Sequence, residues 1–368
     1  MDSRQERASV LLVLGPSTGG IRRHVVELAA RLEQRGWRVE VAGPAGVLDG
    51  LRTLDHRVEV PLSLGPVASV AARRALAAAA VGADLIHAHG LKAGWLAASV
   101  RRRAPLVVTA HNVVLPGVGG AGAPFLAWLE AALPARADAT IVVSAEMARR
   151  LVGTAGAGKV TVVAPVAPSP RPTSTVADVR AAWGVGPVQP LVVSVGRLHP
   201  QKGHATLIDA AALLARRRPG VRVVIVGGGP SADALARHVE HLGLGGVVSL
   251  VGPSAAGADA LAAADVVTLA STWEGWPLVV SEAVQLGRPV VATAVGGIPE
   301  MLVDGVSGWL VEPGSPQALA RALEAALVDP ARAAGRAEAA RVDLARRASP
   351  EALAAAVEAV YLSVLERA

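Results

Sequence analysis

Short runs of β-branched and other apolar residues alternate along the whole chain with Ala- and Leu-rich stretches of helical period, and the runs have little polar alternation of their own. A strand with one wet face alternates apolar and polar residues, whereas a strand buried on both faces is continuously apolar. In the first half such runs are Val10 to Leu14, Val39 to Ala42, Asp84 to Ala88, Leu106 to Ala110, Thr140 to Val143 and Val160 to Val163. In the second half they are Leu191 to Val195, Val221 to Val226, Val247 to Val251, Val266 to Leu269 and Val290 to Ala292. Between them Ile21, Val25, Leu28 and Leu32 form one helical stripe, and Leu207, Ile208, Ala211 and Leu214 another. Strands of this kind separated by helices build parallel sheets covered on both faces. The expected fold class is therefore α/β, as two doubly wound Rossmann-like domains.

A length of 368 residues suits two domains of ordinary size. The stretch Ala164 to Thr175 holds four prolines and no helical or strand period, which marks a stiff connection. The expected division is a first Rossmann-like domain over 1–165, a Pro-rich linker over 166–188, a second Rossmann-like domain over 189–348 and a C-terminal helix over 349–368 that packs back across the linker. With 52% hydrophobic residues there is ample material for two cores, which excludes general disorder. There are no cysteines, so neither a disulfide framework nor a Cys-ligated metal is available.

The net charge of +6 is unevenly spread: residues 1–165 carry +7 and the remainder −1. Arg22, Arg23, Arg73, Arg74 and the run Arg101 to Arg103 belong to the basic half. They read either as solvated helix faces or as a docking surface for an anionic acceptor or membrane. The high pI follows from Arg outnumbering Lys, with one Tyr to titrate near it, so nucleic acid is not an expected partner. The polar start MDSRQERASV has no apolar signal core, and the longest uncharged run, Ala104 to Leu129, is broken by three prolines. The expected location is the cytoplasm, with peripheral contact at the inner membrane face through the basic domain.

Two segments carry the chemistry. LVVSVGRLHPQKG, Leu191 to Gly203, places Gly196, Arg197, Lys202 and Gly203 just beyond a strand end, where open α/β sheets bind ligands. A guanidinium fork and an ammonium there can converge on a diphosphate or be surface cations flanking a turn. STWEGWPLVVSEAVQLGRPVVAT, Ser271 to Thr293, sets Pro277 at the expected first position of a helix. The amides of Leu278 and Val279 are then free for an anion. Glu274 lies just before this helix and Glu282 within it, spaced for separate hydrogen-bonding tasks rather than for acid/base work.

Taken in order, Gly196-Arg197-Leu198 with Lys202-Gly203, Glu274-Gly275 with Glu282, Gly287-Arg288-Pro289, Gly296-Gly297-Ile298-Pro299-Glu300 and Asp304-Gly305 with Gly308 resemble the retaining, GT-B-fold glycosyltransferases of family 4. The resemblance is tight over residues 191–312 and looser before them. It implies two domains facing across a cleft and transfer of a sugar from a nucleotide-diphospho-sugar to an acceptor hydroxyl, with closure of the domains completing the site. Arg197 and Lys202 would stabilise the leaving diphosphate, Glu282 would hold the ribose, Glu274 the transferred sugar, and the backbone near Val251 the base. Gly275, Leu278 and Val279 would supply backbone amides. Trp276-Pro277 stands where Phe-Gly is frequent in the family, removing one donor from that loop.

In the first half, Gly19-Gly20 between strand and helix lets a backbone approach a ligand, although the spacing is not the dinucleotide fingerprint. The resemblance puts this loop beside the donor phosphates and His111 beside the reacting sugar. His89 also matches a family position and reads equally as a structural histidine; His24, His199 and His204 flank binding loops. His87 and His89 would point to one face of a continuing strand, but no third ligand is evident and no D-x-D pair occurs, so no metal is expected. Gly227-Gly228-Gly229-Pro230 reads as a strand-to-helix turn, and Trp95, Trp128 and Trp183 as core or interdomain packing. No cofactor is expected beyond the donor itself; the acceptor is a glycan, a lipid-linked molecule or a small molecule. The competing readings are an epimerase or phosphorylase on the same fold, and a non-catalytic nucleotide-sugar-binding partner protein.

Overall fold

The computed structural model describes residues 8–16, 19–49, 56–61, 70–114, 122–253 and 257–368. It forms two compact units, Met1–Val166 with Ala348–Ala368, and Ala167–Arg347. In chain order the first unit contains β1 (Ser9–Leu14), α1 (Gly20–Gln34), β2 (Arg38–Gly43), α2 (Ala45–Leu48), β3 (Arg57–Glu59), α3 (Val70–Ala79) and β4 (Leu85–His89). It continues with α4 (Leu91–Ser99), β5 (Leu106–Ala110), α5 (Ala123–Arg136), β6 (Ala139–Val142), α6 (Ala145–Leu151) and β7 (Val160–Val162). The second unit begins with α7 (Val176–Ala182), β8 (Leu191–Val195), α8 (His204–Arg217), β9 (Arg222–Val226), α9 (Ala232–His241), β10 (Val248–Leu250) and α10 (Gly257–Ala263). It ends with β11 (Val266–Leu269), α11 (Leu278–Gln285), β12 (Val290–Thr293), α12 (Ile298–Met301), β13 (Trp309–Val311), α13 (Pro316–Val328) and α14 (Pro330–Arg347); α15 (Pro350–Leu365) returns to the first unit.

Each unit is built on one sheet whose strand pairs are all parallel, ordered β3-β2-β1-β4-β5-β6-β7 in the first and β10-β9-β8-β11-β12-β13 in the second. The strand order reverses between β1 and β4 and again between β8 and β11. These are the points at which a doubly wound sheet leaves a crevice beyond its carboxyl edge. The two-residue period of β1 explains its unbroken apolar run. Val10, Leu12 and Leu14 face a core shared with α1 and α15, while Leu11 and Val13 face a core shared with α3 and α4. The expected stripe on α8 is fully buried at Leu207, Ile208, Ala211 and Leu214.

Two strands go unread in the sequence. β3 and β13 have three residues each and each lies at a sheet edge, β3 with Arg57 and Glu59 exposed. Inside the stretch expected as linker, Val176–Ala182 forms α7, with Thr175 Oγ1 accepting from the Asp178 amide at 3.1 Å. Arg180 on this helix is buried and donates to the carbonyls of Ala263, at 3.0 Å, and Gln189. Thr173 donates from its amide to Asp259 Oδ1 at 2.5 Å. The proline-rich segment is thereby tied to the second unit.

The C-terminal helix packs on α1. Leu353, Val357, Val360, Tyr361 and Val364 recur at helical spacing and are buried in the first unit's core, and Glu358 accepts from Arg35 and, at 2.8 Å, from Trp37 Nε1. The stretch Pro330–Leu365 is apolar enough by composition to cross a membrane, yet it is two helices separated at residues 348–349, and the apolar face of α15 is already buried. Trp128 corrects the sequence reading: it stands 58% exposed on α5, stacked between Trp95 and Phe125.

Candidate functional site

In the second unit the reversal point gathers most of the residues singled out by sequence. β8 is followed by Gly196 and Arg197, and the 3₁₀ turn Pro200–Lys202 folds Lys202 back so that its methylenes lie against Gly196. Gly203 then adopts φ +62°, and a Cβ there would fall 1.9 Å from the Ala270 carbonyl oxygen, so only glycine permits this turn to sit on the end of β11. Beyond β11 the chain runs through Ser271 to Glu274, pinned by Gln201 Nε2 donating to the Trp273 carbonyl (3.0 Å), Thr272 N to the Gln201 carbonyl (2.8 Å) and Thr293 Oγ1 to the Ser271 carbonyl (2.6 Å).

These backbone ties bring Lys202 Nζ to 2.6 Å from Glu274 Oε1, which also accepts from Ser271 Oγ at 2.6 Å. Glu274 is 5% exposed, so the ammonium and hydroxyl replace the water that a buried carboxylate loses. Gly296, at φ +55°, presses on the same loop: a Cβ would lie 1.6 Å from the Glu274 carbonyl oxygen, and the amide of Gly297 donates to that oxygen at 3.1 Å. Arg197 is exposed and, among the described residues, its guanidinium has no hydrogen-bond or ion-pair partner. One cation is held in place and the other is loose at the mouth.

The helix start differs from the sequence expectation by one position. Pro277 is the N-cap of α11, with φ −74° and ψ 105°, rather than its first helical residue, so α11 begins at Leu278. The extended ψ keeps Pro277 out of the helix while its carbonyl accepts from Val280 at 3.0 Å. The Leu278 and Val279 amides remain the first of the helix, as expected. Gly275 is buried ahead of them, Glu282 is 6% exposed one turn inside, and Val251 follows β10 with its amide donating to Ile225. Gly227-Gly228-Gly229 is the expected strand-to-helix turn; a Cβ on Gly227 would meet the Gly196 carbonyl at 1.8 Å.

In the first unit the corresponding reversal point holds histidines. Gly19 is the N-cap of α1, with nothing within 4 Å of a Cβ placed on it, and Gly20 opens the helix. One turn along, His24 is buried, and its ring lies 5.8 Å from that of His89 at the end of β4 and 5.2 Å from that of His111 just beyond β5. His89 Nδ1 and His111 Nε2 are 3.0 Å apart. His87, two residues before His89, is fully occupied: Nδ1 with the Tyr361 hydroxyl and Nε2 with the Thr109 hydroxyl, each at 2.6 Å. Burial pushes the His24 imidazole down to about 4. Burial and then repulsion from His24 push His87 down to about 3, and burial with neighbouring imidazoles holds His89 and His111 well below the usual value. All four rings are neutral at physiological pH.

The sequence reading saw His87 and His89 on one face and no third partner. The structure supplies two: His24 from α1 and His111 from the β5 edge stand with His89, while His87 turns to hydroxyls instead. Tyr361, Thr109, Ser271 and Gln201 are the other residues that the sequence did not single out; none has a motif of its own, and each acts only through a distant partner. Close to His89 and His111, a cavity of about 580 Å³ opens at the carboxyl edge of β4 and β5, lined by Gly90, Ala110, Ala127, Leu133 and Met147 with Glu130 and Arg150. Burial raises the Glu130 carboxyl, although both its oxygens accept from the Val114 amide at 3.1 and 3.2 Å.

Known proteins resemble this chain in sequence and in fold. The family described as Glycosyl transferases group 1 matches residues 177–343, and Glycosyltransferase Family 4 matches residues 18–166. A D-inositol 3-phosphate glycosyltransferase of Nocardia farcinica is 33% identical over 381 residues, covering 89% of this chain and 83% of that one. One of Mycolicibacterium gilvum is 38% identical over 267 residues, covering 65% and 58%. Among solved structures, Anabaena HepE in complex with UDP-glucose superposes with a TM-score of 0.84 at 25% identity, covering 96% of this chain and 99% of that one. Sucrose-phosphate synthase from Thermosynechococcus elongatus gives 0.82 at 25% identity, covering 98% and 100%.

Proposed function

The chain belongs to the group 1, family 4 glycosyltransferases of GT-B fold, and from that premise we propose that it moves a sugar from a nucleotide-diphospho-sugar to an acceptor hydroxyl with retention at the anomeric carbon. The observation that carries this reading is the Lys202–Glu274 pair at 2.6 Å, set beside unpaired Arg197 and the open start of α11. A diphosphate carries the charge that Arg197, Lys202 and the α11 amides are built to accept. Glu274, already fixed by Lys202 and Ser271, offers its remaining lone pairs to hydroxyls of the transferred sugar, and Glu282 accepts from the ribose. UDP-sugars are the first donors to test, given the UDP-glucose bound by HepE.

In this reaction the bond from the anomeric carbon to the diphosphate oxygen breaks and the bond to the acceptor oxygen forms on the same face. The acceptor proton passes to the departing phosphate. Side-chain cations stabilise the leaving charge, so the diphosphate requires no metal. Catalysis rests on charge stabilisation and orientation rather than on a dedicated base. His111 is neutral and contributes as a hydrogen-bonding group to the sugar. Its Nδ1 is the ring nitrogen not committed to His89. The cavity lined by Gly90, Ala127 and Met147 would receive the apolar part of an acceptor, with Arg150 at hand for an anionic group.

The test combines binding and product analysis. Thermal shifts are measured with UDP-, GDP-, ADP- and dTDP-sugars on the wild type and on Lys202→Ala, and the products are examined by NMR for anomeric configuration. A ligand at 100 times its Kd should add about 2.7 kcal/mol of stability. A shift confined to one nucleotide, lost in the variant, with a retained product is the expected result. No shift with any donor, or an inverted product, would overturn the reading.

A further inference from the structure

We infer that His24, His89 and His111 form a binding site for a transition-metal ion of the zinc class. One imidazole nitrogen from each residue lies within 4.8 Å of the other two. In a tetrahedral zinc site with Zn–N bonds of about 2.0–2.1 Å, neighbouring nitrogens stand roughly 3.3 Å apart. The His89–His111 pair, at 3.0 Å, is already near that spacing, so its two nitrogens need only turn toward a common point as the third ring closes. The ligands come from three elements, α1, β4 and the β5 edge, which the parallel sheet brings together at its carboxyl end. A site assembled in this way is fixed by the fold and not by a flexible loop.

Hydrogen bonding alone leaves the cluster incomplete. His24 Nδ1 is buried and, among the described residues, has no hydrogen-bond partner, on a side chain whose residue is only 4% exposed. Buried polar atoms are ordinarily paired, and leaving one unpaired costs about 1–3 kcal/mol. His87 shows what a satisfied histidine looks like in the same core, with a hydroxyl on each nitrogen and its ring 4.2 Å from His89, holding that ring's orientation. The donor set is all nitrogen and uncharged, which suits Zn²⁺, Co²⁺, Ni²⁺ or Cu²⁺ and is a poor set for Mg²⁺ or Ca²⁺.

Each neutral imidazole carries one N–H and one lone pair. The proton now shared between His89 Nδ1 and His111 Nε2 moves to the far nitrogen of its ring when both near nitrogens turn to a metal, so binding releases no proton. Three protein ligands leave a fourth position open to water or to an oxygen of a bound molecule. The site is independent of the donor cradle in the second unit. It competes with the sugar-facing role of His111, which rests on the function proposed above.

The test uses the full chain without a polyhistidine tag, stripped with EDTA. Zn²⁺ binding is measured by calorimetry and Co²⁺ binding by visible absorption. The expected result is one equivalent bound with a Kd on the order of a micromolar or tighter, and a Co²⁺ spectrum of the intense, low-coordinate type. His24→Asn and His111→Asn should each weaken binding by at least about a hundredfold, since even outer-shell losses cost 10–100-fold. Far-UV circular dichroism checks the fold of each variant, and His238→Asn in the second unit should bind as the wild type does. Should His24→Asn fail to fold, partly exposed His111 and the wild-type Co²⁺ spectrum decide the matter. No binding at tens of micromolar, a weak octahedral Co²⁺ spectrum, or an unchanged Kd in His111→Asn would overturn the site.

Discussion

Arg197 and Lys202 carry the same charge five residues apart, yet replacing them should have different consequences. Arg197 is exposed and touches no carboxylate, so Arg197→Ala should leave the melting temperature within error. Its loss of a charge-assisted bond to the diphosphate, about 1.5–3 kcal/mol, should lower kcat/KM by about one to two decades. Lys202→Ala should lower the rate comparably and also leave the buried Glu274 carboxylate on Ser271 alone, so its melt should fall as well. Initial rates and thermal melts on the same two preparations separate the cases. The glycines divide in the same manner. Gly296→Ala meets the Glu274 carbonyl at 1.6 Å and should destabilise by at least about 2 kcal/mol in urea titrations. Gly19→Ala has free space, so its melt should hold, while donor KM rises if ligand backbone contact occurs there. Both glycines sit in motifs that sequence could flag, but only the packing tells a structural glycine from one kept for a ligand.

Elements were readable to the extent that their period had room to show. The five-residue strand β5 and the fifteen-residue helix α1 repeat their pattern often enough to be recognised, and the three-residue β7 and β10 lie in longer apolar runs, whereas β3 carries Arg57 and Glu59 and β13 is closed off by Gly308 and Glu312. The donor cradle was legible because Gly196 to Gly203 and Glu274 to Glu282 lie in contiguous motifs. The histidine cluster was not, because His24, His89 and His111 meet only once β1 and β4 have paired and α1 has packed over them. Pro277 shows the limit on boundaries: a proline suits both the N-cap and the next position, and only its ψ decides. At the start of α8, His204 is 3% exposed, and burial together with the Lys202 charge pushes it down to about 4 from an unfolded value of 6.5. The unfolded chain therefore binds the extra proton, so this residue contributes fully above pH 6.5 and its contribution is lost as pH falls toward 4, by about 3 kcal/mol in all. Urea midpoints at pH 7 and pH 5 should diverge more for the wild type than for His204→Gln; equal divergence would count against it.

At the scale of the molecule, the chain passes between the two units twice, at Val166–Ala167 and again at Arg347–Ala348, so neither end of the sequence corresponds to a whole unit. The last helix illustrates why this matters. Leu353, Ala354, Val357, Val360, Tyr361 and Val364 are all buried in the first unit, and Tyr361 additionally holds His87 by its hydroxyl. Full burial of a large apolar side chain is worth about 1.5–3 kcal/mol. Removing α15 therefore withdraws on the order of 10 kcal/mol from a domain whose net stability lies at about 5–15 kcal/mol. The second unit has its own sheet, its own core and the Lys202–Glu274 pair, all formed by residues 167–347. A chain ending at Arg347 should consequently lose the cooperative unfolding of the first unit, and with it transfer activity, while the second unit still binds the donor nucleotide. Differential scanning calorimetry with and without nucleotide reads both halves of that expectation. Loss of nucleotide binding in the shortened chain would mean that the donor site depends on the first unit.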